Sequence, residues 1–164
     1  MGVEIERKFL LEGGAWRAAA VASQRLLQGY LTSPDSGDCS VRVRVGGDAA
    51  WLNVKSAVAG IERLEFEYAI PRADAEQMLA RFCPAAVEKI RHHVPYGTVL
   101  FEIDEFLGAN AGLVLAEVEL PSVDAPFARP AWLGREVSDK RRYYNLHLLG
   151  HPYANWSAAE RAGD

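Results

Sequence analysis

Charged residues alternate with apolar ones in a short segment near the start of the chain. Glu4, Glu6 and Lys8 are separated by single residues, and side chains two positions apart in a β-strand point to the same face. Carboxylate pairs can hold hard divalent cations, and basic pairs can hold phosphate oxygens. Residues 3–11 therefore predict a strand with one fully charged face that could bind a metal ion or a phosphate group.

Later segments repeat this spacing of charged residues. The members of each set are again one residue apart, so we expect them to share one face of a strand. The repeated sets are Arg42 and Arg44; Arg63, Glu65 and Glu67; Lys89 and Arg91; Glu102 and Asp104; and Glu117 and Glu119. Acidic and basic sets on one surface together indicate a metal-assisted polyphosphate site.

The composition is typical of a globular protein. The chain has 164 residues, of which 49% are hydrophobic and 24% are charged, and its formal net charge is -4. We expect a single domain over residues 1–164, with no disulfide or structural zinc, because Cys39 and Cys83 lack the spacing of either. The mild acidity argues against a nucleic-acid partner.

Membrane insertion and export are not expected either. No apolar run reaches the roughly 20 residues that span a bilayer, and the first residues lack the apolar core of a signal peptide. We therefore expect a cytoplasmic protein without a membrane partner.

Hydrophobic periodicity and turn residues predict mostly strands. The predicted strands are residues 3–11, 23–32, 39–45, 50–55, 61–70, 87–94, 98–106 and 113–120. Turns are predicted at residues 33–38, 46–48 and 57–60, where Gly, Pro, Asp and Ser concentrate. Such short connections favour antiparallel pairing of neighbouring strands.

Two helices are predicted. Residues 71–82 form the clearer one, because Pro71 stands at the first turn and an apolar stripe follows at helical spacing. Ser138 is a suitable N-cap for a last helix that ends at Leu149. The segment of about residues 150–164 has little periodicity, so we expect a poorly ordered tail.

The shared charged face leaves two arrangements of the strands open. A flat sheet could expose that face to solvent and pack its apolar face against the helices. A closed barrel would instead turn the charged face inward, where buried charges are tolerated only if they are paired or bind a metal or ligand. Solvated surfaces rarely confine so much charge to one register, which favours the barrel and a polar binding cavity.

The charged sets belong to a longer series of motifs in a fixed order. The series comprises Glu4-Ile5-Glu6-Arg7-Lys8, Gln28-Gly29-Tyr30-Leu31, Val41-Arg42-Val43-Arg44, Lys55, Arg63-x-Glu65-x-Glu67, Lys89-x-Arg91, Asp104, Glu117-x-Glu119 and Trp132-Leu133-Gly134-x-Glu136-Val137. In order and spacing it resembles the CYTH family of triphosphate tunnel metalloenzymes, and most of all the small single-domain bacterial members of the inorganic triphosphatase type. The first motif alone is weak support, whereas the ordered set is specific.

The resemblance implies an α+β, mainly β fold: an eight-stranded antiparallel β-barrel that forms a tunnel, with a few flanking helices. It also implies one or two Mg2+ or Mn2+ ions and a triphosphate inside the barrel. The implied metal ligands are Glu4, Glu6, Glu65, Glu67, Asp104, Glu117 and Glu119, and Glu102 matches only by its place in the alternation. The implied phosphate ligands are Arg42, Arg44, Lys55, Arg63, Lys89 and Arg91.

The implied activity is hydrolysis of the terminal phosphoanhydride of inorganic triphosphate, with Lys8 and Tyr30 as a catalytic pair. Our hypothesis is that the Lys8 ammonium lowers the pKa of Tyr30, so that Tyr30 takes a proton from the attacking water. In the alternative, Tyr30 only positions that water. Adenylate cyclase activity, thiamine triphosphatase activity, non-catalytic polyphosphate binding and homodimerisation also stay open.

One position departs from the family pattern. When Tyr143 and Asn145 are aligned, Lys140 stands where the family usually has an acidic residue. We expect Lys140, Arg141 and Arg142 to lie on a solvated helical face rather than in the tunnel.

Overall fold

The structure is a computed structural model that describes residues 2–33, 37–56 and 60–164. Its strands are β1 Gly2–Leu11, β2 Ala22–Tyr30, β3 Cys39–Gly46, β4 Ala49–Ser56, β5 Glu62–Ala69, β6 Ala86–Tyr96, β7 Val99–Phe106, β8 Val114–Glu119 and β9 Leu133–Glu136. They pair in the order β5-β4-β3-β2-β6-β7-β8-β1-β9, and β1 also pairs with β5. That additional pairing closes the first eight strands into an antiparallel barrel, which confirms the predicted fold class.

Strand β1 is the seam of the barrel. Its first residues pair with β5, where Glu4 lies opposite Arg63, and its later residues pair with β8, where Lys8 lies opposite Glu117. The seam thus places the charged face of β1 next to the charged faces of two other strands.

The eight predicted strands agree with β1 to β8 to within a few residues, because strict alternation marks each of them. The predicted turn after β3 is confirmed: Gly47 has a φ of 55°, a left-handed conformation that glycine adopts without steric cost. The predicted turns at residues 33–38 and 57–60 extend outside the described residues.

Three α-helices accompany the barrel in the part of the chain that the structure describes: α1 Arg72–Phe82, α2 Asn145–Gly150 and α3 Ala158–Arg161. Helix α1 confirms the clearer helix prediction, and Ala75 on its buried face packs against Val43 and Ala50 on the outer surface of the barrel. In the described part of the chain, no helix is both long and apolar enough to cross a bilayer.

The largest apolar core lies outside the barrel wall. Outward-facing residues such as Phe9, Phe101 and Ile103 are fully buried, and they pack against Trp132 and Leu133, which follow β8 in the chain. Since this apolar packing occupies the outer faces of the strands, the charged faces point into the barrel.

The chain after the eighth strand differs from the sequence prediction in two ways. A ninth strand, β9, pairs with β1 so closely that a Cβ atom on Gly134 would lie 3.0 Å from the carbonyl oxygen of Leu10. The predicted helix from Ser138 to Leu149 is confirmed only at its end, where α2 spans Asn145–Gly150, because a 3-10 turn over Arg141–Tyr143 precedes it. The Ser138 hydroxyl does not cap a helix but accepts a hydrogen bond of 2.9 Å from the backbone N–H of Lys8.

The C-terminal segment is packed rather than loosely ordered as we expected. Trp156 is buried, and its ring centroid lies 5.0 Å from that of Tyr143. Ser157 and Glu160 form a capping box at the start of α3. The weak periodicity of this segment hides the packing of Trp156 and Tyr153 against the core.

Candidate active site

The inward faces of the barrel strands surround a cavity of about 820 Å³. Most of the predicted site residues line it: Glu4, Glu6, Lys8, Tyr30, Arg42, Arg44, Lys55, Arg63, Glu65, Glu67, Arg91, Glu117 and Glu119. The predicted residues Lys89 and Asp104 lie deeper, with exposed fractions of 1% and 0%, and join the others through Arg91. The fold therefore brings every predicted site residue into one connected cluster.

One end of the barrel is closed by apolar contacts. Inward positions on three strands change from charged to apolar toward this end, where Val87, Phe106 and Leu115 pack against Tyr143 and Leu148 of the C-terminal segment. The opposite end of the cavity is rimmed by the exposed residues Gly2, Thr98 and Pro121. The charged region is thus a cup that a ligand would enter from that rim.

The carboxylates of β1 are held by cations from neighbouring strands. Glu4 Oε2 lies 2.9 Å from Lys55 Nζ and 3.0 Å from Arg63 Nε. Glu6 Oε1 lies 2.6 Å from Lys8 Nζ and 3.1 Å from an Arg63 guanidinium nitrogen. Predicted metal ligands and predicted phosphate ligands therefore neutralise one another.

Lys8 forms a second ion pair with Glu117 across the β1–β8 seam. Burial opposes the charge of Lys8, but the carboxylates of Glu117 and Glu6 outweigh it and raise the pKa of the ammonium. Glu117 is buried as well, and Lys8 and Arg91 hold its pKa well below the ordinary value. Both groups are therefore charged at neutral pH.

The surroundings of Lys89 stabilise its positive charge less than those of Lys8 do. Burial and the neighbouring Arg91 lower the pKa of Lys89 to about 8, although Asp104 opposes the change. Asp104 is shared, because Arg91 also donates to both of its oxygens at 2.7 Å. Arg91 also pairs with Glu117 at 2.6 Å and with Glu102, so carboxylates match the positive charge of this region.

Arg42 and Arg44 of β3 line another part of the cavity wall. Arg44 donates to Glu67 at 2.9 Å, whereas Arg42 lies 3.9 Å from Glu65. Burial and Arg42 lower the pKa of the Arg44 guanidinium. In the described ranges, the buried Nε atoms of both arginines and Oδ1 of Asn53 have no hydrogen-bond partner. Polar atoms of this kind are suited to a bound ligand or water.

The carboxylates around Glu119 have the chemistry of a divalent-cation site. Burial raises the pKa of Glu119, and the carboxylates of Glu4, Glu6 and Glu65 raise it further. This mutual repulsion is what a hard cation with oxygen ligands would relieve. Within residues 2–33, 37–56 and 60–164, no three His, Cys, Asp or Glu side chains are already arranged around a metal position. The residues fit a cation by their chemistry, but their Lys and Arg partners would have to move.

Lys8 lowers the pKa of Tyr30, as we expected, but the net pKa of the phenol is raised. Tyr30 is buried beside Arg42, and burial raises the pKa of its phenol more than Arg42 and Lys8 lower it. The phenol therefore keeps its proton at neutral pH and is a poor base. Its hydroxyl can still donate or accept a hydrogen bond in the cavity.

Sequence reasoning missed part of the site. Residues Arg141, Tyr144, Asn145 and His147 of the C-terminal segment line the cavity, so Arg141 does not lie only on a solvated face as we expected. They belong to a turn and a short helix, where no alternation marks the inward side chains. The sole available signal was Asn145, which belongs to the alignment with the family.

Arg142 remains outside the cavity. It lies 3.8 Å from Glu160, and its guanidinium carbon is 5.8 Å from the ring centroid of Tyr143. Among these basic residues, the structure therefore assigns Arg141 to the cavity and Arg142 to the packing of the C-terminal segment.

Similar proteins agree with this arrangement. An inorganic triphosphatase from Acetivibrio thermocellus is 45% identical over 157 residues, which cover 95% of this chain and 99% of the relative. An inorganic triphosphatase from Nitrosomonas europaea is 37% identical over 149 residues, which cover 88% of this chain and 95% of the relative.

Solved structures show the same architecture. A crystal structure of an inorganic triphosphatase matches with a TM-score of 0.63 and 34% identity, covering 91% of this chain and 95% of that one. A protein from Pyrococcus horikoshii matches with a TM-score of 0.57, covering 74% of this chain and 80% of that one, and shares the fold alone at 18% identity. The CYTH domain family matches residues 2–147. This chain therefore belongs to the CYTH domain family.

Proposed function

We propose that this protein is a divalent-metal-dependent triphosphatase that hydrolyses the terminal phosphoanhydride of inorganic triphosphate. The observation that carries this proposal is the closed-ended cavity, whose wall combines guanidinium, ammonium and carboxylate groups from all around the barrel. Relatives at 45% and 37% identity that are named inorganic triphosphatase support it. A triphosphate chain is the ligand that uses such a wall along its whole length.

Positive side chains would bind the phosphate oxygens. Arginine suits bidentate contacts with phosphate, and lysine supplies a compact charge. The proposed phosphate ligands are Arg42, Arg44, Lys55, Arg63, Lys89 and Arg91. Most of these side chains now pair with carboxylates, so phosphate oxygens would replace carboxylate oxygens without desolvating the cations anew.

The carboxylates freed in this exchange would hold Mg2+ or Mn2+, in agreement with the general dependence of CYTH triphosphatases on divalent metals. The first candidates are Glu4, Glu6, Glu117 and Glu119, followed by Glu65, Glu67 and Asp104. A divalent ion in this family's reaction supplies charge neutralisation of the phosphates and activation of water.

The reaction needs a water molecule in line with the terminal phosphorus atom. The water oxygen forms the new P–O bond and the bond to the bridging oxygen breaks. The water gives up one proton to solvent, and orthophosphate and diphosphate result. Lys8 and the phosphate ligands stabilise the negative charge that grows on the leaving oxygen. The Tyr30 hydroxyl, which keeps its proton, hydrogen-bonds to the water and orients it.

A phosphate-release assay tests this proposal. Inorganic triphosphate, ATP, thiamine triphosphate and long-chain polyphosphate are compared in Mg2+ and in Mn2+, with EDTA as the metal-free control. We expect inorganic triphosphate to be hydrolysed fastest, ATP poorly, and none of them in EDTA. Polyphosphate binding without any release would support a binding module instead, and cyclic AMP formation from ATP would support a cyclase.

A further inference from the structure

Tyr144 lies across two of the cavity's cations. Its ring centroid is 6.0 Å from Lys8 Nζ and 5.5 Å from the guanidinium carbon of Arg63. Both distances lie within the range in which an aromatic face attracts a cation. Lys8 and Arg63 also share one oxygen atom, Oε1 of Glu6, at 2.6 Å and 3.1 Å. Two cations thus compete for one carboxylate and share one aromatic ring.

The Tyr144 ring is fixed at its far end by the segment that also holds the Lys8 backbone. The Tyr144 hydroxyl donates a hydrogen bond of 2.9 Å to the carbonyl oxygen of Ser138. The Ser138 hydroxyl accepts one of 2.9 Å from the Lys8 backbone N–H and donates one of 2.8 Å to Glu136. Lys8 is therefore held at its backbone by Ser138 and approached at its ammonium by Tyr144.

We propose that Tyr144 is a positioning residue that keeps Lys8 and Arg63 in the cavity when Glu6 exchanges its cation partners for a metal ion. This inference rests on the proposed function and adds a residue to it. An aromatic face attracts cations but carries no net charge, so it holds the two side chains without neutralising them. Their charges then remain available to the triphosphate, whereas a carboxylate in the same place would compete with it.

Substitution of Tyr144 separates its ring from its hydroxyl. In Tyr144→Leu the aromatic face is lost, and we expect kcat to fall on the order of tenfold and KM for inorganic triphosphate to rise a few-fold. In Tyr144→Phe the face remains, whereas the hydroxyl loses its bond to Ser138 and its longer contacts of 3.4 Å with the backbone of Gly60, so we expect at least about a third of the parent kcat. A Phe variant as slow as the Leu variant would overturn the proposal.

A matched control comes from the outer surface of the barrel. Tyr68 lies on the same strand as Arg63 but is 57% exposed, so Tyr68→Leu should keep the parent kcat. An equal loss in Tyr68→Leu and Tyr144→Leu would assign the effect to general destabilisation and overturn the proposal.

Coupling to Lys8 provides the decisive kinetic comparison. If Tyr144 acts through Lys8, then Tyr144→Leu should lower kcat much less in a Lys8→Met background than in the parent, because interacting residues are not additive. Equal effects in the two backgrounds would overturn this part of the inference.

A spectroscopic measurement tests the proposal without turnover. The ring of Tyr144 should shift the Lys8 side-chain proton resonances, assigned by comparison with Lys8→Met, and Tyr144→Leu should remove this shift while Tyr144→Phe preserves it. Resonances that are the same in the parent and in Tyr144→Leu would overturn the placement. Absence of phosphate release by the parent would instead refute the proposed function and leave this reading of Tyr144 to the spectrum.

Discussion

Lys55 Nζ lies 2.9 Å from Oε2 of Glu4, so a proposed phosphate ligand and a proposed metal ligand neutralise each other inside the barrel. Each has one further partner, because Glu4 Oε2 lies 3.0 Å from Arg63 Nε and Lys55 Nζ lies 3.2 Å from Glu65 Oε2, so removal of one partner leaves a partly buried charge less well neutralised, which is costly. A metal ion that takes Glu4 lowers this cost most when an anion takes Lys55 at the same time. The geometry thus couples the binding of the cation to the binding of the polyanion.

This coupling predicts cooperative stabilisation by the two ligands. We expect Mg2+ together with inorganic triphosphate to raise Tm by more than the sum of the increases that each gives alone, because each ligand releases the partner that the other needs. Thermal unfolding of the parent in the four ligand combinations measures this directly. Strictly additive increases would show that the two sites bind independently.

Substitution of Glu119 tests the metal assignment, because it should not lower Tm without metal but should reduce the increase in Tm that Mg2+ causes. Neighbouring carboxylates repel its charge, so Glu119→Gln should leave Tm without metal unchanged or slightly higher. The same substitution removes a proposed metal ligand and should reduce the Mg2+-dependent increase in Tm to less than about half. The control is Glu62→Gln, because Glu62 is an exposed residue of β5 and should change neither value. A full metal response in Glu119→Gln would remove this residue from the metal site.

Alternation explains why so much of the barrel could be predicted from the sequence. Glu4, Glu6 and Lys8 occur at a strict two-residue spacing, which fixes both the strand and the face that the three side chains share. No local sequence pattern indicates the pairing of β1 with β5. Closure of the barrel was predicted because so many charged residues would otherwise crowd one exposed surface, and because the motif series resembles a family with a closed barrel.

The C-terminal half of the site could not be predicted for a related reason. Tyr144 reaches the cavity from the bend between a 3-10 turn and α2, where a side chain's direction depends on tertiary packing rather than on spacing. Ser138 has the residue type of an N-cap, but the backbone of Lys8 takes its hydroxyl instead. The predicted direction of the Tyr30 pKa shift was wrong, because the sequence shows the nearby cation but not the degree of burial.

For Tyr30→Phe we expect a moderate decrease in kcat rather than the large decrease that the loss of a catalytic base would cause. Burial keeps its phenol protonated, so Tyr30→Phe should lower kcat by about tenfold through a lost hydrogen bond to the water, with KM little changed. The alkaline limb of the pH profile should stay where it is. A loss of a hundredfold or more together with a displaced alkaline limb would restore the base hypothesis.

Acid stability should depend on the pair that Arg7 and Glu136 form beside the barrel. Arg7 Nε donates to Glu136 at 2.9 Å, and this hydrogen bond, which outweighs burial and is aided by Ser138, lowers the pKa of Glu136. A lowered folded-state pKa stabilises the protein above the unfolded value of about 4.3, and this contribution is lost as the pH falls through the folded-state pKa. Glu136→Gln should therefore lower Tm at pH 7 by at most roughly 2–4 °C, since the partly exposed pair contributes no more than about 1 kcal/mol. Thermal unfolding between pH 7 and pH 3 should show the parent and Glu136→Gln converging below about pH 4, and a constant difference over that range would mean that the contribution of Glu136 is not electrostatic.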